Sequence, residues 1–468
     1  MLLLASCASY RQQSADYYAE LEQGNYAQAE KALNKTRLLK KNRNRLLWLL
    51  EKGKLAHLQG NWVESNRHFN EADEIMESDR NSFGDVALSN LLNPMMKHYR
   101  AEDFEKYLVH YYKAINYMQL NDDEAALVEA RRITLRTYMQ DDKVGSKDKY
   151  KEDAFSFSLQ GMIYEAANDI NNAFIAYRNA VDVYLEANGR HYGTSLPTQL
   201  KKDVLRLAAQ NAFTDELERY ERLLGMNYQP EATPEGGELV LFWENGTVPV
   251  KVQEDFYFSV IKGAGGGLFF NDSRGMYNNI PFNGGVGYNN DDINITDLRG
   301  FHVALPRYEA QPPLYSHAVI LANGKSFAFE KAEDIANLAT STLKERMLRE
   351  LTNTLTRMAI KKLAEAAVRH AGSSGSSSGK SGEEDRKKEQ KKKNQREALA
   401  LGLQLFNMAT EKADTRNWQS LPQTIYYARI PLQKGENKLV VTLQGASAVS
   451  QAIIVNGNGS LQFRNIRK

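Results

Sequence analysis

RLLWLLEKGKLAHLQGNWVESNRHFNEADEIME, residues 45–77, carries apolar side chains at spacings of three and four on both sides of Gly60-Asn61. That periodicity predicts two amphipathic helices, and the Gly-Asn step between them predicts a tight turn. Gly53 leaves a gap in the middle of the first helix, where the second can approach closely, and Trp62, Ser65, Phe69 and Ala72 mark the facing positions of the second. The same relative spacing returns in Gly161, Tyr164, Asn168, Ile170, Ala173, Tyr177 and Ala180. Gly24-Asn25-Tyr26 with Ala29 and Leu33 fits the turn and second helix of an earlier copy, and Asn121 with Ala126 and Ala130 fits a weaker one. Between residues 15 and 224 proline is sparse and Ala, Leu, Glu, Lys and Arg dominate, so nearly continuous helix is expected.

These spacings resemble the tetratricopeptide repeat, in which small and large positions interlock neighbouring helices. The turn residues Gly24, Gly60, Asn121 and Asn168 are 36, 61 and 47 positions apart, whereas a regular array advances by about 34, so the array over 15–228 is degenerate and interrupted. The resemblance implies that successive hairpins stack and leave a concave surface, lined by first helices, that holds peptides or protein partners. Tyr17, Tyr18, Trp48, Tyr107, Tyr111, Tyr112, Tyr117 and Tyr164 fall on the expected inner faces, where they either meet a partner or pack as core.

Composition changes after residue 228. Pro230, Pro234, Gly236 and Gly237 form a linker over 229–237, and a β-branched and aromatic run follows. Asn245-Gly246 between 239–242 and 248–252 reads as a hairpin, as does Asn323-Gly324 between 318–321 and 326–329. Further strands are expected at 424–429, 439–443, 452–455 and 460–463, and one long amphipathic helix at 332–370. The fold class is therefore α+β, an all-α repeat unit followed by an antiparallel β-containing domain over 238–371 and 398–468. The Gly- and Asn-rich stretch 262–300 reads as a mobile surface insertion, 189–198 as a loop, and 372–397, almost all Gly, Ser and mixed charge, as a disordered linker. Residues 398–408 predict a short apolar helix.

The sole cysteine, Cys7, follows Leu4-Ala5-Ser6. This resembles a lipobox, at which a bacterial lipoprotein signal peptide over 1–7 is cut and the new N-terminal cysteine acylated. No Lys or Arg precedes it and the apolar run is short, which places the start of translation upstream. Ala8 in place of Asp implies outer-membrane sorting, and no later stretch is apolar over the roughly 18 residues needed to span a bilayer. The segment ADTRNWQSLP at 413–422, with Asp414, Arg416, Trp418 and Pro422, together with ENGTVPVK at 244–251, is similar to a family of bacterial lipoproteins that join tetratricopeptide-like repeats to a small C-terminal domain. Asp414 and Arg416 are expected to pair at a helix end while Trp418 packs into the sheet.

A formal net charge of +2 gives no field to gather nucleic acid. One cysteine excludes a disulfide framework or thiolate metal cluster, and the eight histidines lack HExxH or any other ligand spacing. The run Gly263, Gly265, Gly266, Gly267 misses GxGxxG because Leu268 stands at the third glycine. GxSxG occurs only at 375–379, within the linker, where no nucleophile elbow forms. No catalytic residue, metal or cofactor is assigned. The expected function is an outer-membrane, periplasm-facing scaffold that binds protein on the concave repeat face and membrane through lipid. The alternatives are a regulator of peptidoglycan synthesis, of the kind that activates penicillin-binding proteins, and a glycan-acting enzyme.

Overall fold

The computed structural model describes residues 10–78, 95, 97–141, 152–263, 267–282, 300–371 and 412–467. The lipobox residues and Cys7, the 372–397 linker and the 398–408 helix all lie outside them. Helical hairpins come first: α1 (Tyr10–Glu22) with α2 (Tyr26–Lys35), α3 (Arg45–Leu58) with α4 (Trp62–Ser78), α5 (Asp103–Gln119) with α6 (Asp123–Asp141), α7 (Ala154–Ala166) with α8 (Ile170–Glu186), and α9 (Thr198–Gln210) with α10 (Thr214–Leu224). Gly24, Gly60, Asn121 and Asn168 make the first four turns with φ of 76°, 77°, 55° and 59°. The fifth turn uses Ala212 at φ 56°, a residue whose type carries no turn signal. Residues 189–198 hold a small hairpin in place of the expected loop, β1 (Arg190–His191) and β2 (Thr194–Ser195).

The interlock between helices is steric. A Cβ on Gly161 would lie 2.6 Å from the Tyr177 ring, and one on Gly53 would lie 2.6 Å from Phe69. Both rings are fully buried. Alanine raises helix propensity over glycine by up to about 1 kcal/mol, but here the ring cannot retreat. Gly161→Ala is therefore expected to destabilise by about 1–3 kcal/mol net, read as a fall in the denaturation midpoint; an unchanged midpoint would mean that the two helices separate freely.

Among the described residues, the C-terminal half contains three four-stranded sheets. The first orders β10 (Glu330–Asp334), β11 (Thr424–Pro431), β3 (Glu238–Asn245) and β14 (Leu461–Arg467). The second orders β13 (Val449–Gly457), β12 (Gly435–Gly445), β8 (Tyr315–Ala322) and β9 (Lys325–Ala328), and the third β6 (Ile280–Phe282), β5 (Leu268–Asp272), β4 (Val250–Lys262) and β7 (Phe301–Glu309). Asn323 and Gly324 both take positive φ and close the β8–β9 hairpin.

Asn245-Gly246 does not close one, which corrects the expectation. Only Gly246 has positive φ, whereas the favoured two-residue turn needs it at both positions. Asn245 instead gives its carbonyl to the Gln423 N–H at 3.0 Å and its side-chain amide to the Tyr315 carbonyl at 2.8 Å. The chain thus leaves β3 for a different sheet. A second correction is that β14 lies parallel to β3, so the first sheet is mixed. A third is that the Gly- and Asn-rich stretch supplies β5 and β6, with 283–299 outside the described residues.

Strand β3 explains the layering. Val240 and Phe242 face the helices, while Leu239, Leu241 and Trp243 face the second sheet. With both faces covered, the strand reads as a continuous apolar run. The helix α11 (Ile335–Ala371) begins against the main core through Ile335, Leu338 and Leu343 and continues over the third sheet through Leu351, Leu355 and Ala359. One hydrophobic core runs from the helical hairpins into the first sheet, so residues 229–237 do not separate two cores. Gly236 and Gly237 pack against the backbone of Gln433 and Ser460.

Candidate interaction site

The first helices of the hairpins turn toward the C-terminal half. Tyr111 of α5 and Phe155 of α7 meet Phe242 of β3 with ring centroids 5.6 and 6.1 Å apart. Arg429 of β11 reaches Glu165 of α7 at 2.6 Å and Asp203 of α9 at 3.1 Å. At the end of α5, Gln119 donates to the Phe463 carbonyl of β14 at 2.7 Å.

Along α3 and α5 the occupant is a strap, residues 413–421, without regular secondary structure and ending in a turn in which the Leu421 N–H donates to the Trp418 carbonyl at 3.4 Å. Arg416, 1% exposed, pairs with Asp414 at 2.5 Å, donates to Asn44 Oδ1 at 2.6 Å and to the Lys97 carbonyl at 3.0 Å, and lies over the Tyr99 ring. The Trp418 N–H donates to Glu105 at 3.0 Å and the Gln419 N–H to Glu51 at 3.1 Å. The Trp418 ring packs against the stacked pair Phe69 and Tyr112, with centroids 5.7 and 5.8 Å from its own. Two buried carboxylates on inner helices thus hold consecutive backbone amides where the strap turns, and an aromatic side chain anchors it. Asp414 and Arg416 pair as expected, within a segment that has no regular secondary structure. Trp418 packs into the helical core and not into the sheet, because the inner helices offer a ring-lined socket. Pro422 is buried just before β11.

This corrects the expectation of an open concave face. Tyr17, Tyr18, Tyr107, Tyr111, Tyr112 and Tyr164 are all buried, and Trp48 and Tyr117 are partly so. Tyr17 and Tyr18 donate to Glu51 at 3.0 and 2.8 Å, holding the carboxylate that holds the strap.

Charge is buried at the same seam. Lys54 pairs with Glu244 of β3 at 2.5 Å, both wholly buried, and stands over the Tyr112 ring at 3.9 Å. Burial lowers the Lys54 pKa to about 7, with Glu244 opposing the shift. His57 joins Asn116 at 2.6 Å through Nδ1 and Asn465 of β14 at 2.6 Å through Nε2. The Asn116 amide nitrogen donates to Ser65 and Asn66, so its oxygen accepts and His57 carries its proton on Nδ1. Burial lowers the His57 pKa to about 4, which keeps the ring neutral. Burial opposes ionisation of Glu102 too, yet Lys251 and Arg346 outweigh it and hold the pKa at about 2. That carboxylate ties α5 to β4 and α11.

Burial and then the neighbouring Glu102 raise the Glu105 pKa from 4.5 to about 7. The folded state therefore binds a proton more tightly than the unfolded chain. The resulting stability is present below pH 4.5 and is lost as pH rises toward 7. The unfolding free energy of the native chain relative to Glu105→Gln is expected to be larger at pH 4.5 than at pH 7.5, measured by chemical denaturation at both; a constant difference would refute the shift.

The sequence signals for these residues are weak. Glu51, Lys54, Glu102, Glu105 and Glu244 are ordinary charged residues until the fold sets them against one another. Of the residues singled out from the sequence, Ala29, Phe69, Ala72, Ala173, Tyr177 and Ala180 are buried between helices. Tyr26 and Trp62 instead reach an open cleft of about 490 Å³, which His57, Leu58, Val449, Ser450, Gln451, Asn465, Ile466 and Arg467 complete. The cleft lies at the seam where α2, α3 and α4 meet β13 and β14.

The helices α1 to α10 form antiparallel hairpins whose packing resembles that of tetratricopeptide repeats. No family model and no curated protein matches the chain. Solved structures similar to part of it include the MamA protein, at TM-score 0.28 and 14% identity over 45% of this chain and 87% of that one. The apo form of RapI follows at 0.33 and 10% over 46% and 53%, so the chain spans about half of RapI. BtubC (BKLC) from P. vanneervenii stands at 0.32 and 13% over 47% and 83%. The resemblance to that repeat lies in the Gly53–Phe69 and Gly161–Tyr177 interlocks and the left-handed turn residues.

Proposed function

We propose that this chain is a protein-interaction scaffold, held by acylated Cys7 to the outer membrane of a bacterial envelope with its fold in the periplasm, and that it meets its partner in the seam cleft. The observation that carries the reading is the contrast between the two concave surfaces. The repeat groove is filled by the chain's own strap, while the cleft is open and presents Trp62, Tyr26 and Arg467, the residue types that concentrate binding energy at protein interfaces. In this reading the helices serve as a frame that presents the cleft, and the lipid supplies the membrane contact. Among the described residues no helix is long and apolar enough to cross a membrane, which suits attachment by lipid.

The test places a photoreactive amino acid at Trp62, in the cleft, or at Tyr112, in the filled groove, in bacteria making the full-length chain. Covalent adducts to one recurring envelope protein from position 62 and none from position 112 are expected. Adducts from 112, or none from 62, would overturn the choice of site. Mass spectrometry of the N-terminus from fractionated membranes tests the anchor: a diacyl or triacyl group on Cys7 is expected, and an unmodified N-terminus in the soluble fraction would remove it.

A further inference from the structure

Sheet edges expose unpaired backbone groups, and folded proteins guard them with charge, proline, bulges, short strands or a covering element. Among the described residues most edges are guarded in these ways. β10 carries Glu330, Lys331, Glu333 and Asp334 and a register shift. β14 carries Arg464 and Arg467 and lies under α5. β7 has Pro306 and Arg307, β6 is three residues with Pro281, and β9 is four residues with Lys325. β13 differs. Its nine residues, VSQAIIVNG, contain no charge and no proline, and its pairing with β12 runs without a shift from Val449 to Gly457.

The backbone of this edge faces outward at alternate residues. The Asn456 carbonyl accepts from Gln462 Nε2 at 2.8 Å, away from β12. By the alternation of an antiparallel ladder, the N–H and C=O groups of Ala452 and Ile454 point the same way. The outer face of the second sheet is also apolar along one row, because Ala452 pairs with Val440 and Val440 with Leu321. Leu321 is 49% exposed and Ile454 64%.

We infer that β13 pairs antiparallel with β13 of a second copy of this chain about a two-fold axis at Ile453, joining two four-stranded sheets into one of eight strands. Three features select a second copy as the occupant. In this register Ala452 faces Ile454 of the other copy as a hydrogen-bonded pair, which uses the outward backbone groups of both. Ser450 faces Asn456, so polar meets polar and apolar meets apolar on the outer face, and each row runs Leu321, Val440, Ala452 and then the other copy's Ile454. With no charged residue in the strand, self-pairing brings no like charges together. The inference does not rest on the anchor or on a partner in the cleft, although Val449, Ser450 and Gln451 belong both to this strand and to the cleft wall, so a paired copy would border that cleft.

Analytical ultracentrifugation of the full chain is expected to show a concentration-dependent dimer. Ile454→Lys, at an exposed position that leaves the core intact, is expected to raise the dimer dissociation constant at least tenfold with unchanged circular dichroism. Ile453 would meet its own copy as a non-hydrogen-bonded pair, about 4.5 Å between Cα atoms. Ile453→Cys in a Cys7→Ser background is therefore expected to form an intermolecular disulfide on mild oxidation, whereas Leu321→Cys is not. A monomer at all concentrations, a dimer indifferent to Ile454→Lys, or the absence of the 453 cross-link would each overturn the proposal.

Discussion

Truncating Trp418 to alanine is expected to lower the unfolding free energy by about 3–5 kcal/mol, the range for a large aromatic removed from a packed core. The indole is wholly buried, touches Phe69 and Tyr112, and donates from Nε1 to Ser420 Oγ at 2.9 Å. Its removal opens a cavity and leaves that hydroxyl without its donor, and it also loosens the two amide contacts to Glu105 and Glu51 on either side. Trp418→Phe, which keeps most of the ring, should recover more than half of the loss. Guanidinium denaturation followed by near-ultraviolet circular dichroism reads both. A loss under about 1 kcal/mol for the alanine variant would show that the strap rests on the helices without holding them.

The second large effect is expected at Lys54. Changing it to methionine keeps the length of the side chain but strands the Glu244 carboxylate in a site with no exposure, at a cost of about 3–5 kcal/mol. Asn465 already donates to Glu244, but at 3.4 Å this long neutral hydrogen bond offsets little of the lost charge. Lys54→Met combined with Glu244→Leu should regain most of the stability, since an apolar pair of similar volume carries no desolvation cost. The decisive measurement is the double-mutant cycle. Additive losses would show that the two charges do not depend on each other.

How far the fold was legible depended on whether its signals were local. Gly24, Gly60, Asn121 and Asn168 announced their turns because a left-handed backbone selects Gly and Asn, and Gly53 and Gly161 announced close helix packing because nothing larger fits. Ala212 announced nothing, since alanine has no reason of its own to adopt that φ. Asn245-Gly246 gave a false hairpin signal, because the same dipeptide serves any sharp exit from a strand and the destination is decided by residues far away, Tyr315 and Gln423 among them. The β3 run predicted a strand, but its burial on both faces was hidden in the same apolar letters. Among the candidate site residues, Tyr111 and Tyr112 were rightly placed on inner faces. Their role as a lining for the chain's own Trp418 was not readable, because the two partners are some 300 positions apart and no periodicity links them.

That distance bears on how the protein is made. The contacts of the strap with Asn44, Glu51 and Glu105 span 372, 368 and 313 residues. During synthesis from the N-terminus the helical hairpins emerge first, with their tyrosines and buried carboxylates uncovered. The strap that covers them follows roughly 15–75 s later at 5–20 residues per second. For that interval the nascent chain displays an apolar, half-finished groove that only its later-made half can cover. An ordinary open repeat array, complete hairpin by hairpin, needs no such cover.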